Sequence, residues 1–332
     1  MLGAFMLLGT SDILAQVPLS GEGTETSPFV VSSAEDWNKL AQYIVDNKDA
    51  FEGKFLKLSS DIDFTGVEWK SLWANNITLF HGYFDGAGHL VKGINMQPTG
   101  SYMGVFGTLG NTGTIANLTV SGVSDGKSVT TGGLVGRSYG TIRNCVNEMT
   151  VKTTMPAVGG IAGRAFKGSK FIDCINKGTI SGTTNVGGIV GTTEAEILFE
   201  RCGNEGVLNL TGNGVGGIAA APWPSTFTDC WNKADITLTG TASMYAGGII
   251  GNAMGAAGTT LYTISGCSNS GNITGPRYVA GIIGTVAAAN AELNVTNCHN
   301  TGNITSTATS GNNGACGISS AYVPLSTFTN CS

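Results

Sequence analysis

A five-residue unit, in most copies Gly-Gly-aliphatic-aliphatic-Gly, recurs through the chain and constrains its fold more than any other feature. Successive copies are 27 to 36 residues apart, and they begin at Met103, Gly132, Gly159, Gly187, Gly216, Gly247, Ala280 and Cys316. A second unit, which consists of an apolar residue, two mostly polar residues and Cys, follows most copies, and an x-Asn-x-x-x-aliphatic unit follows the Cys. Three short β-type segments per period, separated by Gly and Asn turns, predict one coil of a three-sided solenoid.

Each coil must stack on its neighbours to bury its apolar face, so equivalent residues should form columns about 4.8 Å apart. An aliphatic column predicts the core, and a Cys column that begins with Leu118 favours a small buried hydrophobe over sulfur chemistry. An Asn column can bond coil to coil through its amides and tolerate a left-handed backbone. The columns are Val105, Leu134, Ile161, Ile189, Ile218, Ile249, Ile282 and Ile318; Leu118, Cys145, Cys174, Cys202, Cys230, Cys267, Cys298 and Cys331; and Asn147, Asn176, Asn204, Asn232, Asn269 and Asn300.

Two further columns carry charge. The position three residues after each Cys alternates in sign, and so does the position one residue before it; the two series are Glu148, Lys177, Glu205 and Lys233, and Asp173, Arg201 and Asp229. Opposite charges on neighbouring strands stabilise a sheet, whereas like charges destabilise it. The pattern therefore supports the register and predicts surface ion pairs. For the Cys column we expect free thiols, because parallel side chains fit the disulfide dihedral badly.

The first hundred residues differ from the repeats. Residues 1–16 resemble the remnant of a secretory signal peptide, and residues 17–100 are interpreted as a cap with the first coils. A capping-box pattern at Ser33 and apolar residues at helical spacing predict a helix over residues 34–47, which would cover the open solenoid end. Strands are expected at 55–58 and 90–94. Residues 101–332 form the repeats, continuous with the cap, and their end inside a repeat suggests a truncated fragment.

Composition excludes several classes of function. The net charge is −5 and the pI is about 5.2, which argues against a nucleic-acid partner because no basic surface is available for phosphates. No stretch of about 18 apolar residues exists, so we expect no transmembrane helix. The chain has three His and no His-Glu-x-x-His motif, so we expect no metal site and no cofactor.

The Gly-Gly-Ile-Val-Gly type of unit resembles the GLUG motif of bacterial surface and secreted proteins. Residues 27–40 and 80–94 are similar to the segments that precede such repeats. The resemblance implies an all-β, right-handed three-sided parallel β-helix, here with a short N-terminal capping helix, on a protein secreted by a bacterium or exposed on its surface. Repeats of this kind also occur in non-catalytic regions of IgA-cleaving metallopeptidases, but the peptidase zinc motif is absent from this sequence.

Two classes of function remain open. The first is a non-enzymatic, adhesin-like module that binds a glycan or another host or cell-surface ligand. The second is a polysaccharide lyase or glycoside hydrolase, since β-helices also carry such enzymes. Hydrolysis of a glycosidic bond needs two carboxyl groups flanking the bond. Glu194, Glu196 and Glu200 are the candidate acid cluster, but a solvated loop explains them better, so we predict no catalytic residue.

Three aromatic residues are the candidates for ligand binding. Tyr245 and Tyr278 both stand two residues before the five-residue unit on successive coils, so their rings are expected about 4.8 Å apart on one face. The alternative is that the two rings only shield each other. Trp223 shares the position three residues after the unit with Tyr139, Phe166 and Met254. Anchors at a corner of the core explain that position better than a platform for sugars.

Overall fold

The computed structural model describes residues 16–74, 78–97, 101–239, 244–255, 260–287, 291–307, 314–320 and 326–332. The signal-peptide remnant predicted over residues 1–16 lies outside the described residues except for its last position. Every strand ladder within the described ranges is parallel, and the strands stack coil upon coil into a solenoid. The predicted parallel β-helix with one N-terminal helix is therefore confirmed.

The described strands form four sheets, which the chain visits in the order II, III, I and IV in the coils that begin at Tyr102. Sheet I contains Phe29–Val31, Phe55–Leu58, Tyr83–Asp85, Thr114–Ala116, Thr141–Arg143, Lys170–Ile172, Leu198–Glu200, Thr226–Thr228, Thr260–Ser265, Ala291–Thr296 and Thr327–Thr329. Sheet II contains Tyr102–Met103, Thr130–Gly132, Val158–Gly159, Val186–Gly187, Gly214–Gly216, Tyr245–Gly247, Val279–Ala280 and Ala315–Cys316.

Sheet III contains Phe106–Leu109, Val135–Ser138, Ala162–Ala165, Val190–Thr193, Ala219–Ala221, Ile250–Ala253 and Ile283–Val286. Sheet IV begins with Ile62–Asp63, Leu90–Met96 and Thr119–Gly126. It then divides into two rows, one of Val146–Asn147, Ile175–Asn176, Gly203–Asn204, Trp231–Asn232, Ser268–Asn269 and His299–Asn300, and one of Thr150–Thr153, Ile180–Gly182, Leu208–Leu210, Ile236–Leu238, Ile273–Gly275 and Ile304–Ser306.

The five-residue unit is not one strand, as the sequence predicted, but two strands joined by a bend. In one coil Thr130–Gly132 belongs to sheet II and Val135–Ser138 belongs to sheet III. The bend brings Gly133 so close to the Asn column that a Cβ there would lie 2.1 Å from Asn147 Oδ1. The second Gly of the unit is therefore required by the Asn side chain that reaches this corner.

The aliphatic and Cys columns form the core, as predicted. The register places Val135 beside Ala162 and Val146 beside Ile175, which aligns the preceding Leu134 with Ile161 and Cys145 with Cys174. Both columns are buried from the first coil onward, and only their last members, Ile318 and Cys331, are partly exposed. All eight Cys are free thiols.

The Asn column forms a continuous chain of amide hydrogen bonds through the interior. Each Nδ2 donates to Oδ1 of the Asn in the next coil, over distances of 2.7 to 2.9 Å from Asn147 to Asn300. These Asn do not adopt the left-handed backbone that Asn can tolerate. The left-handed residues instead precede the Cys column, because the chain turns there from sheet I into sheet IV; they are Asn117, Asn144, Asp173, Arg201, Asp229, Asn297 and Asn330.

The helix spans Ala34–Asn47, as predicted, and covers the first coils. Ser33 Oγ accepts the N–H of Asp36 at 3.1 Å, while the Asp36 carboxylate accepts from the Ser32 backbone N–H at 3.0 Å. Trp37 is fully buried and its ring meets the ring of Phe106 edge-on at 6.1 Å. Within the described part of the chain, no helix is long and apolar enough to cross a membrane.

The charged columns follow the predicted register. Lys233 Nζ lies 3.1 Å from Glu205 Oε1, and Arg201 holds Asp173 through two bonds of 2.6 and 2.9 Å. These bonds from Arg201 hold the pKa of the Asp173 carboxyl below its ordinary value. All four side chains are exposed, so water and salt screen these pairs and they add little to stability. The pairs are consistent with the register of the neighbouring strands, and they are surface ion pairs and not a reactive site.

Candidate ligand-binding edge

The three candidate acids do not form a catalytic cluster, because each faces its own cation. Glu194 lies 3.6 Å from Arg164, and Glu196 lies 2.8 Å from Lys167. Glu200 is paired with the neighbouring Arg201. Among the described residues, no three His, Cys, Asp or Glu side chains are grouped closely enough to hold a metal ion.

The Cys column consists mostly of buried thiols. Burial raises the pKa of the Cys145 thiol to about 12, so the thiolate is scarce at neutral pH. The thiols donate weakly to backbone carbonyls, as Cys174 does to the Ile142 oxygen at 3.4 Å. The thiols therefore fill the core as small hydrophobic groups.

We expect iodoacetamide, added without reductant, to spare the six buried thiols of folded protein and to label all six after unfolding in guanidinium. The six are Cys145, Cys174, Cys202, Cys230, Cys267 and Cys298. The reason is that all six side chains are buried in the core, where the reagent cannot reach them, and the mass of the intact protein is the readout. A pair of thiols that stays unlabelled after unfolding until reductant is added would contradict the free column.

Tyr245 and Tyr278 occupy the same column, but their rings do not stack. Ala246 pairs with Val279, which aligns the two Tyr residues at the entry to sheet II. The Tyr245 ring lies across the preceding coil, where a Cβ on Gly214 would come 2.1 Å from its Cε2. Tyr278 takes a left-handed backbone with φ of +38°, which turns it away from the strand geometry of Tyr245. Both residues are half-buried.

Trp223 lies where a strand of sheet III ends, on a column we call the aromatic edge. The column comprises Tyr139, Phe166, Glu194, Trp223 and Met254. The rings of Tyr139 and Phe166 stack at 4.3 Å between centroids with 15° between planes. Trp223 is 38% exposed, and its backbone N–H donates to Thr193 Oγ1 at 3.0 Å. The Tyr139 and Phe166 rings are half-buried and face each other, and Glu194 lies between them and Trp223 in the column.

Two arginines stand beside the aromatic edge, and sequence reasoning missed them. Arg137 and Arg164 are paired in register on adjacent strands of sheet III. The Arg137 guanidinium carbon lies 3.4 Å from the centre of the Tyr102 ring and 5.9 Å from that of Phe166. The Arg164 guanidinium lies 4.8 Å from the centre of the same Phe166 ring. Their shared position, directly after the last Gly of the unit in two successive coils, was the available signal.

The comparisons agree with the fold and with the repeat. Residues 128–152 match the family model described as the GLUG motif. A candidate Gly-rich membrane protein of Evansella cellulosilytica is 30% identical over 139 residues, or 39% of this chain. Halomucin of Haloquadratum walsbyi is 32% identical over 154 residues, or 43% of this chain. The matched regions make up only 15% and 2% of the lengths of these relatives.

One solved structure resembles most of the chain. It is a candidate immunoglobulin A1 protease from Bacteroides ovatus, with a TM-score of 0.57 and 23% identity over 80% of this chain and 79% of that chain. At this identity the likeness concerns the fold alone. The predicted resemblance is confirmed by the family model, and the protein is a parallel β-helix that carries the GLUG motif.

Proposed function

We propose that this chain is a non-enzymatic, adhesin-like module, secreted or displayed on a bacterial surface, that binds glycans or another surface ligand. The observation that carries the proposal is the aromatic edge, where Trp223 and the stacked Tyr139 and Phe166 stand on a fixed strand ladder. A sugar ring packs its C–H face on such rings. The names of the two relatives, a Gly-rich membrane protein and halomucin, favour a location at the cell surface.

The edge is suited to binding because its geometry is set before any ligand arrives. The backbone N–H of Phe166 donates to the Ser138 oxygen of the preceding coil, and that of Glu194 donates to the Ala165 oxygen. Preorganised rings lose little conformational entropy on binding. We propose a second contact for the ligand at Tyr245 and Tyr278, beside sheet II. Because both residues are half-buried and differ in backbone orientation, this contact is smaller than the aromatic edge.

Replacing Trp223 with Ala is expected to weaken glycan binding about fivefold, because loss of one aromatic contact costs about 1 kcal/mol. Because the side chain is only 38% exposed, stability should also fall, by about 1 to 2 kcal/mol, and circular dichroism checks that the variant is folded. The measurement is binding to a glycan array, followed by titration of the best ligand. Trp231→Ala is the matched control, because Trp231 lies in sheet IV under Lys233, whose Nζ is 4.3 Å from its ring centre.

A binding loss that is as large in the Trp231 variant would remove the aromatic edge from the proposal. The double replacement of Tyr245 and Tyr278 by Ala tests the second contact in the same assay.

The enzyme alternative has its own test, which is product release from acidic and neutral polysaccharides. Turnover that disappears in Glu194→Gln, Glu196→Gln or Glu200→Gln would overturn the non-enzymatic assignment.

A further inference from the structure

We infer that the aromatic edge binds acidic sugars, with Arg137 and Arg164 receiving a carboxylate or sulfate group; the inference rests on the proposed glycan binding. The first observation is the register. Like charges directly opposite each other on neighbouring strands destabilise a sheet. The chain nevertheless places two arginines there, between Thr108 on one side and Thr192 on the other. A bound anion would offset that repulsion.

The second observation is the shortage of protein partners. Arg164 forms one ion pair, in which its guanidinium nitrogen lies 3.6 Å from Glu194 Oε1, and both side chains are 44% exposed. Arg137 forms no ion pair among the described residues; its Nε–H is buried without a partner, so only its terminal N–H groups remain for a ligand. A guanidinium carries five N–H donors, so the pair retains donors for a ligand. In the charged columns described above, by contrast, Arg201 is saturated by Asp173 and Glu200.

The third observation is the way in which the guanidinium groups are held. The Arg137 guanidinium carbon lies over the Tyr102 ring, 3.4 Å from its centre, and that of Arg164 lies over the Phe166 ring, 4.8 Å from its centre. Stacking on a ring occupies the face of a guanidinium and leaves the N–H groups at its rim, which match a carboxylate or sulfate in a bidentate geometry. A sugar bound beside the stacked Tyr139 and Phe166 rings would therefore present its acidic group to the arginines.

The negative net charge of the chain confines the binding of acidic sugars to places where cations are concentrated. The chain carries a net charge of −5, so it repels polyanions except where cations are concentrated. Acidic-glycan binding therefore has to depend on a particular set of residues. This separates the inference from general attraction between a basic protein and a polyanion.

The test compares two matched pairs of polysaccharides by affinity gel electrophoresis. Polygalacturonate and its methyl ester differ in the carboxylate, and dextran sulfate and dextran differ in the sulfate. We expect the wild-type chain to bind at least one acidic member about tenfold more tightly than its neutral counterpart. The arm that shows the preference identifies the acidic group. The preference should fall as NaCl is raised, whereas any binding of the neutral polymers should not.

Arg137→Gln combined with Arg164→Gln should abolish the preference, and Arg137→Lys should reduce it, because Lys lacks the planar fork. Arg201→Gln, which removes the same charge on another surface, should leave it intact. If the double variant is poorly folded by circular dichroism, Arg164→Gln alone, at an exposed position, gives the readout.

An equal loss in Arg201→Gln, or a preference that survives in the double variant, would overturn the inference. Wild-type protein that binds neutral glycans through Trp223 but shows no acidic preference would overturn it while leaving the proposed function standing. Failure to bind any of the polysaccharides or any array glycan would contradict both.

Discussion

Replacing Asn204 with Ala is expected to lower the free energy of unfolding by about 3 kcal/mol, because three buried hydrogen bonds are lost. Asn204 is fully buried, donates to Asn232 Oδ1 at 2.9 Å and to the Gly206 oxygen at 3.1 Å, and accepts from Asn176 at 2.8 Å. The substitution leaves the Asn232 oxygen buried without that donor. Urea unfolding followed by circular dichroism measures the change.

Asn209→Ala is the matched control. Asn209 belongs to the next strand segment of the same coil, but it is exposed and makes one side-chain bond, of 3.3 Å, to Ser181. Its replacement should cost about 0.5 kcal/mol or less. Equal and small effects at Asn204 and Asn209 would show that the amide chain does not stabilise the stack.

Phe199→Ala is expected to cost about 3 to 5 kcal/mol, since it opens a cavity in the centre of the core. Phe199 is fully buried between Phe171, whose ring centre is 5.3 Å away, and Phe227, at 4.6 Å, with all three rings nearly parallel. Neither neighbour can move into the space without leaving its own coil. The same urea experiment gives the value.

Val207→Ala serves as the control for Phe199, because Val207 is 52% exposed in the following coil segment. We expect its effect to stay near 0.5 kcal/mol or below. A Phe199 variant that loses less than about 1 kcal/mol would show that the ring stack is not part of a tightly packed core.

The register could be predicted from sequence because each coil repeats the same chemistry at nearly the same interval. Ile189 and Cys202 lie where their columns require, and the Ser33 cap placed the start of the helix correctly. These features depend on local spacing and on burial, which a repeated sequence displays directly. The Asn amide chain followed from the same reasoning, since Asn176 can reach the next coil only if the periods align.

The features that were not predicted depend on how the backbone bends between strands. The division of the five-residue unit into two strands follows from the contact of Gly133 with Asn147, two residues that are far apart in the period. The left-handed position falls on Asp173 and its equivalents because the chain turns there, and Asn, Asp or Gly occupies it in every coil except that of Arg201.

The contact of Arg137 with Tyr102 was missed for a similar reason. The first coil is one residue shorter at this corner, so Tyr102, rather than Ser101, pairs with Thr130. This shift places the Tyr102 ring under Arg137. The same dependence on orientation separates Tyr245 from Tyr278, whose shared column was evident from the sequence but whose ring directions were not.

We propose above all that the aromatic edge of the β-helix binds sugars without reacting with them. The most direct measurement is a crystal structure of the full chain soaked with trigalacturonate. We predict an intact trisaccharide with a ring against Phe166 or Trp223 and a carboxylate on Arg137 or Arg164. A trisaccharide bound on another face, or found cleaved between two carboxylates, would contradict the claim.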